Sequence, residues 1–320
     1  MAARPVLVLT QRFDPTADYV VMELTRRGVP VVRIDPGDFP AALTFAARLD
    51  EGWSGVLRSR TRLVDLAEVR SVYYRRPTAF RFNSAMWSDS VSRWALREAR
   101  YGFGGVISAL PGWFNHPADM GRVEYKPMQL DAATQAGLRV PPTLITNDPA
   151  AMRDFAAEVG SIIVKPLSGG GVVEDGQLRA IYTTPVPETD IGDAAVALTA
   201  HLFQARISKQ YEVRLTVVDD QLFGTRIDAG SEAARVDWRC DHDSLCYSEI
   251  AIPAHVRARI LDVMHRLRLR FVAADFIVTD HDQWVFLEVN PNGQWAFIED
   301  ATGQQITVAI ADALERKPDD

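Results

Sequence analysis

Cysteine is scarce in this chain: Cys240 and Cys246 are the only two among 320 residues. Two thiols at that spacing make neither a zinc site nor a disulfide framework, so they read as idle thiols in a reducing compartment. Blocks of one charge are missing too. The 35 basic and 42 acidic residues are interspersed, with a net charge of −7 and no basic-aromatic ladder. That pattern offers no footprint for nucleic acid. No apolar run approaches transmembrane length. The opening MAARPVLVLT runs straight into a strand without the regions of a signal peptide. The expectation is a soluble, cytoplasmic protein with neither a nucleic-acid nor a membrane partner. The first β–α turn, Gln11-Arg12-Phe13-Asp14, has no glycine, which argues against a dinucleotide-binding fingerprint. Histidine is sparse near motifs, and His116, before Pro117, reads as a helix cap or packing residue rather than a catalyst.

What is present is ample apolar material, 47% of the chain, enough for two or three subdomains of α/β type. Val6–Thr10 reads as a buried strand, Asp14–Arg27 as a capped helix stopped by Gly28, and Val29–Ile34 as a second strand. A hairpin (43–49 and 55–60), the strand Ser71–Tyr74 and a helix over 84–103 follow. The proline-rich loop 110–117 reads as a domain boundary. Beyond it the pattern predicts one helix over 118–136, a strand over 140–145, a helix over 150–159 and a strand over 161–165. That strand leads into Lys165-Pro166-Leu167-Ser168-Gly169-Gly170-Gly171. Glycines let backbone N–H groups approach an anion, and lysine brings a point charge to phosphate. The same residues also suit an ordinary hairpin turn. The last part reads as strands over 203–207, 211–218 and 221–227, a helix over 257–269, a hairpin and a closing helix over 304–314.

The hairpin FVAADFIVTDHDQWVFLEVNPNGQW carries the chemistry. It predicts strands over 272–279 and 284–289, with Val285, Leu287 and Val289 on one face and Glu288 and Asn290 on the other. Pairing Thr279 with Trp284 sets Asp275 opposite Glu288. Like charges so placed repel. A hard divalent cation such as Mg²⁺, held by oxygen donors, would relieve the repulsion. A solvated polar face is the alternative.

The order of these parts resembles the ATP-grasp ligases: a helical lysine, Lys126; a strand lysine, Lys165, with glycines behind it; then Asp275…Glu288-Val289-Asn290-Pro291. The segments YYRRP, YEVRLTVV, VDWR and LEVNPNGQW narrow the resemblance to the ribosomal-peptide maturases of the microviridin (graspetide) type. The resemblance implies an ATP-grasp fold behind an N-terminal pre-ATP-grasp βαβ domain. The segments would be 1–114, a central lobe 115–201 and a C-terminal lobe 202–320. It implies that Lys126 and Lys165 hold ATP phosphates under a loop of Gly169, Gly170 and Gly171. Gln204, Ala205 and Arg206 would form the linker whose backbone reads adenine, with Glu212 near ribose. Asp275, Glu288 and Asn290 would bind Mg²⁺, two ions in all. Arg214 and Arg239 would face the transferred phosphoryl group, and Asp237 and Arg239 the reacting acid. Arg226 and Asp228 are further candidates.

The implied reaction is activation of a carboxylate. ATP turns a Glu or Asp side chain of a precursor peptide into an acyl phosphate, and a Thr or Ser hydroxyl or a Lys amine attacks it to close a ring. Such chemistry needs mainly cations and alignment. The peptide's leader would dock on 172–199, which also reads as a plain surface connection. A homodimer is typical of the resembled family. The alternatives are a ligase for small substrates, of the glutathione-synthetase or protein-tail glutamate-ligase type, and a non-catalytic nucleotide-binding regulator.

Overall fold

The computed structural model describes residues 4–82, 87–168, 171–174 and 176–316. The N-terminal part builds a parallel sheet from β1 (Val6–Leu9), β2 (Val31–Ile34) and β6 (Ser71–Tyr74), in the order β2-β1-β6. Every residue of β1 is buried, as expected of a parallel strand covered on both faces. Between β1 and β2 runs α1 (Pro15–Arg26). Asp14 caps it by accepting from Ala17 N, and Pro15 stands in its first turn, where a missing N–H costs nothing. Between β2 and β6 lies an antiparallel meander of β3 (Leu43–Leu49), β4 (Trp53–Ser59) and β5 (Leu63–Asp65). Gly55 sits there at φ +140, where a Cβ would run into the Ala46 carbonyl. The helix expected over 84–103 runs as α2 (Asp89–Ser108), started by the Ser88 hydroxyl on Val91 N.

The single helix expected over 118–136 is two: α3 (Pro117–Val123) and α4 (Lys126–Gln135). The His116 ring caps α3 by accepting from Ala118 N. Pro127 explains the break, because it has no N–H to donate and its ring would crowd the Val123 carbonyl. Gln129 repairs the gap. Its side-chain nitrogen donates to the Val123 carbonyl at 2.7 Å, and its oxygen accepts from Val289 N at 2.9 Å. The break sets Lys126 at the start of a helix that faces the hairpin.

The central sheet has the order β11-β8-β12-β7, from β7 (Thr143–Thr146), β8 (Ile162–Lys165), β11 (Thr184–Pro185) and β12 (His201–Ala205). Helix α5 (Pro149–Val159) covers it, and β9 (Gly171–Glu174) pairs with β10 (Gln177–Ala180). Segment 172–199 is more than a connection: Val196 is buried in this lobe's core, with Val186 and Ile191 packed on it. Gly169 and Gly170 lie outside the described residues.

The C-terminal sheet has the order β15-β14-β13-β16-β17. Its strands are β13 (Tyr211–Val218), β14 (Gln221–Ala229), β15 (Leu245–Glu249), β16 (Phe271–Val278) and β17 (Trp284–Asn290). Helix α6 (Glu232–Val236) lies in the β14–β15 connection, and α7 (Ala254–Leu267) packs with α4 against one face. Val213, Leu215, Ala274, Phe276 and Phe286 fill that core. After α8 (Ala296–Thr302), the last helix α9 (Ile306–Glu315) joins the core of Val6, Val8, Val20 and Leu24. A helix expected within the C-terminal lobe thus completes the first segment. No helix among the described residues is long and apolar enough to cross a membrane.

A buried polar network ties the first segment to the loop after β17. Arg75, at 1% exposure, donates to both Asp14 oxygens at 3.0 and 3.3 Å and to Gln294 Oε1. Thr16 donates to the same Gln294 oxygen, and Asn292 donates to the Arg75 carbonyl. Burial alone would raise the Asp14 carboxyl, but Arg75 and the Thr10 hydroxyl outweigh it and hold it below its ordinary range. Arg75→Ala would leave Asp14 buried and unpaired. We expect a loss of about 3–5 kcal/mol in folding stability, measured by urea unfolding against wild type.

Candidate active site

The cleft lies between the central and C-terminal sheets, with a volume of about 1310 Å³. Its floor follows from strand register. β13 sets Arg214 opposite Asp275, and β16 sets Asp275 opposite Glu288, so the three form a row across the open face. Arg214 Nη1 donates to Asp275 at 2.7 and 2.9 Å. Lys126 reaches across from α4 to bond Glu288, and Arg239 Nη1 stands 3.9 Å from the same carboxylate. Arg214 also lies over the Trp238 ring, 5.2 Å from its centroid.

The expected facing of Asp275 and Glu288 is found, but by another route. Trp284 pairs with Val278, not Thr279. The register is restored by a bulge, since Phe276 opposes Phe286 and Asp275 opposes Glu288, leaving Leu287 as the extra residue. Strict alternation would put Phe286 and Glu288 on one face. The bulge instead sends Phe286 and Val289 into the core while Leu287 and Glu288 line the cleft. The expected shared face of Val285, Leu287 and Val289 is therefore corrected.

Burial raises the Asp275 carboxyl above its ordinary value despite Arg214 beside it. For Glu288 burial is outweighed by Lys126, with Lys165 and Arg239 adding to it, and the carboxyl is lowered. Lys165, on β8, is lowered by burial, and Lys126 and Arg239 act in the same direction. Glu212 lines the cleft bonded to Lys209, a residue that sequence reasoning passed over and that only a Lys-x-x-Glu spacing would flag. Burial still raises the Glu212 carboxyl. Arg239 grips Asp237 with two hydrogen bonds, at 2.8 and 2.6 Å.

At the other end of the cleft, Gln204 is buried. Its nitrogen donates to Thr143 Oγ1, and its oxygen has no partner. Ala205 and Arg206 line the cleft, but their N–H groups go to the Pro142 and Ser161 carbonyls. Those two amides are not available to a base, which leaves the other backbone groups of the linker for that role. Asn290 ends β17 in the cleft wall, its Oδ1 accepting from Asn292 N at 2.9 Å. Gly293 lets the following loop close on β16, for a Cβ there would collide with Ala273. Gly171 opens β9. Arg226 and Asp228 do not join the site. Arg226 opposes Val213, whose neighbours Glu212 and Arg214 face the cleft, and Asp228 lies two residues further along β14, so alternation puts both on the far side of the sheet. There they bond to each other at 2.7 Å, with Arg226 over the Tyr211 ring.

The Asp237–Arg239 pair predicts a pH dependence. Burial pushes Asp237 up, but the hydrogen bonds and charge of Arg239 and the Thr183 amide outweigh it, holding the carboxyl at about 2 against an ordinary 3.8. A lowered folded-state pKa stabilises above the unfolded value and is lost as pH falls through the folded one. Asp237→Asn is therefore expected to be less stable than wild type above about pH 4. The gap should close as the pH falls toward 2, as read by urea unfolding at each pH.

Comparisons with known proteins agree with this geometry. Residues 5–120 match the family model of the MvdD pre-ATP grasp domain. No curated protein matches by sequence. Among solved structures, the chain is similar to a RiPP-associated ATP-grasp ligase of Chryseobacterium gregarium, in complex with ADP and a leader and core peptide. The TM-score is 0.91 at 24% identity, over 99% of both chains. It is similar to macrocyclase MdnC of Microcystis aeruginosa MRC, bound with precursor peptide MdnA, with a TM-score of 0.86 at 26% identity, over 98% of this chain and 99% of that one. Macrocyclase MdnB from the same organism gives 0.80 at 28%, with the same coverage. Sheet order, the paired lysines and the carboxylate row thus meet in one frame: the fold is that of the ATP-grasp ligases, and residues 5–120 carry a pre-ATP-grasp domain of the MvdD type.

Proposed function

We propose that this chain is a peptide ligase that activates Glu or Asp side chains of a ribosomal precursor peptide and closes ester or amide links within it. The observation that carries the reading is the row Arg214–Asp275–Glu288 with Lys126 and Lys165 above it. The residues present fit a magnesium–nucleotide. Lys126 already holds a positive charge against Glu288, and Asp275, Glu288 and Asn290 offer only oxygen, the donor a hard cation takes. The unpartnered Gln204 oxygen is a buried acceptor suited to the exocyclic amine of adenine. ATP, when bound, would supply the phosphoryl group that makes a peptide carboxylate an electrophile.

The chain's own residues then have separable roles. Lys126 and Lys165 hold phosphate oxygens. Asp275 and Glu288 hold the metal, of which the resemblance implies two ions. Arg214 is fixed by Asp275, so its charge stands ready where negative charge develops. Asp237 orients Arg239 toward the acid being activated. The leader docks on segment 172–199, on and just after the hairpin of β9 and β10, where Val172, Ile181 and Tyr182 are exposed apolar residues. A homodimer belongs to the same reading, and Trp94 and Tyr101 on α2 leave an apolar surface for a second copy.

The test is mass spectrometry of the peptide encoded beside this chain's gene, after incubation with the protein, ATP and Mg²⁺. Loss of one water per link, with ADP released, is the expected result. An unchanged peptide, with ADP released on adding free amino acids, would overturn it in favour of a small-substrate ligase. Glu288→Gln is expected to abolish ring closure without changing the far-ultraviolet circular dichroism, because the metal loses a ligand. Wild-type rates in that variant would remove the metal assignment.

A further inference from the structure

The carboxylates of the cleft are accounted for, with one exception. Glu212 is bonded to Lys209, Asp237 to Arg239, Asp275 to Arg214 and Glu288 to Lys126. Glu124 lines the same cleft and, among the described residues, makes no ion pair. It sits at the joint between α3 and α4, two residues before Lys126, on the cleft wall formed by Gly121–Pro127. Its side chain is exposed to the cleft.

The joint also fixes which end of the cleft Glu124 serves. Lys126, two residues on, bonds Glu288 of β17, so the joint stands on the β17 side of the cleft, and burial with the Glu124 charge raises the Tyr74 phenol at the end of β6. The next residues of that strand end, Arg75 and Arg76, bond the loop that follows Asn290, with Arg76 donating to the Asn292 carbonyl at 3.4 Å. Glu124 therefore lies where the first segment borders the metal loop, at the opposite end from the Gln204–Lys209 linker. A base and ribose at the linker leave this end to the peptide. No histidine lines the cleft among the described residues, and the other carboxylates are held by cations.

Building on the proposed peptide ligation, we infer that Glu124 is the general base of the ring-closing step. The attacking hydroxyl or amine forms its bond to the carbonyl carbon of the acyl phosphate. The carbonyl carbon–oxygen bond to phosphate breaks, with its electron pair leaving on phosphate. The proton of the nucleophile passes to the Glu124 carboxylate. This base acts only in the second half-reaction, because phosphorylation of a carboxylate needs no proton removed.

The two halves are separated by trapping. Hydroxylamine intercepts an acyl phosphate as a hydroxamate without help from a base. Wild type, Glu124→Gln and Glu124→Asp are incubated with the neighbouring precursor peptide, ATP and Mg²⁺, with and without hydroxylamine. Glu124→Gln is expected to lose ring closure by about 100-fold or more while hydroxamate yield falls far less. Glu124→Asp should recover part of the closure. Closure at the wild-type rate in Glu124→Gln would overturn the assignment. So would equal loss of closure and hydroxamate, which would mark a residue needed for binding or folding. A wild-type protein yielding neither ring nor hydroxamate would sink the peptide-ligase reading, and the role of Glu124 with it.

Discussion

Two carboxylates facing each other across a hairpin repel, and in a partly buried setting the repulsion is stronger than in water. Asp275 and Glu288 stand so, and the surrounding structure is arranged to neutralise them. Arg214 comes from the adjacent strand, two residues from Glu212 on the same face. Lys126 comes from a helix that begins where Pro127 ended the one before. Arg239 comes from the α6–β15 connection, held in turn by Asp237. None of these cations follows from the hairpin's own strand pattern. Each is placed by a different element, and all three converge on the same pair of acids.

Much of this was legible in the residues themselves. β1, β13 and the two strands of the hairpin announce themselves by apolar runs and alternation, and Asp14-Pro15 marks the start of α1 with a physical cap. The carboxylate pair was found although the assumed register was off by one, because the bulge at Leu287 offset the error. That bulge has no local signature. It is demanded by Phe286, which must reach a core assembled from distant helices. The break before Lys126 had a visible cause in Pro127, but its repair by Gln129 depends on β17 and could not be read locally. Arg226 and Asp228 looked like site residues by type. Only the pairing of β14 with β13 shows which face they occupy. Strand β15, five residues with none fully buried, carries too short and weak an apolar signal to be seen.

Beside the core shared through α8 and α9, the first segment and the site are joined by hydrogen-bonded polar side chains. Asn115 illustrates the economy of the junction. Its amide nitrogen donates to the Phe271 and Pro291 carbonyls at 2.8 and 3.0 Å, and its oxygen accepts from Arg270 and Phe271 N at 2.9 and 3.2 Å. One buried residue thus fixes both the start of β16 and the loop beyond Asn290. The Arg75–Gln294 contact holds the same loop from the other side. The position of Asn290 relative to Glu288 is set by these two clamps as much as by the strand.

Helix α9 has a consequence for how the molecule comes into being. Ile306, Ala309, Ile310 and Leu314 complete the core around Val6, Val8, Val20 and Leu24, and the Ser71 hydroxyl donates to the Leu314 carbonyl at 2.7 Å. On a growing chain the earliest β–α–β unit emerges long before those partners exist. Its apolar face waits, uncovered, while the rest of the protein is made, which is the situation in which nascent chains associate wrongly or are held by chaperones. The contact that closes the fold is therefore also the last to become available. Synthesis of residues 306–314, rather than of the first segment, sets the moment at which the N-terminal core can settle.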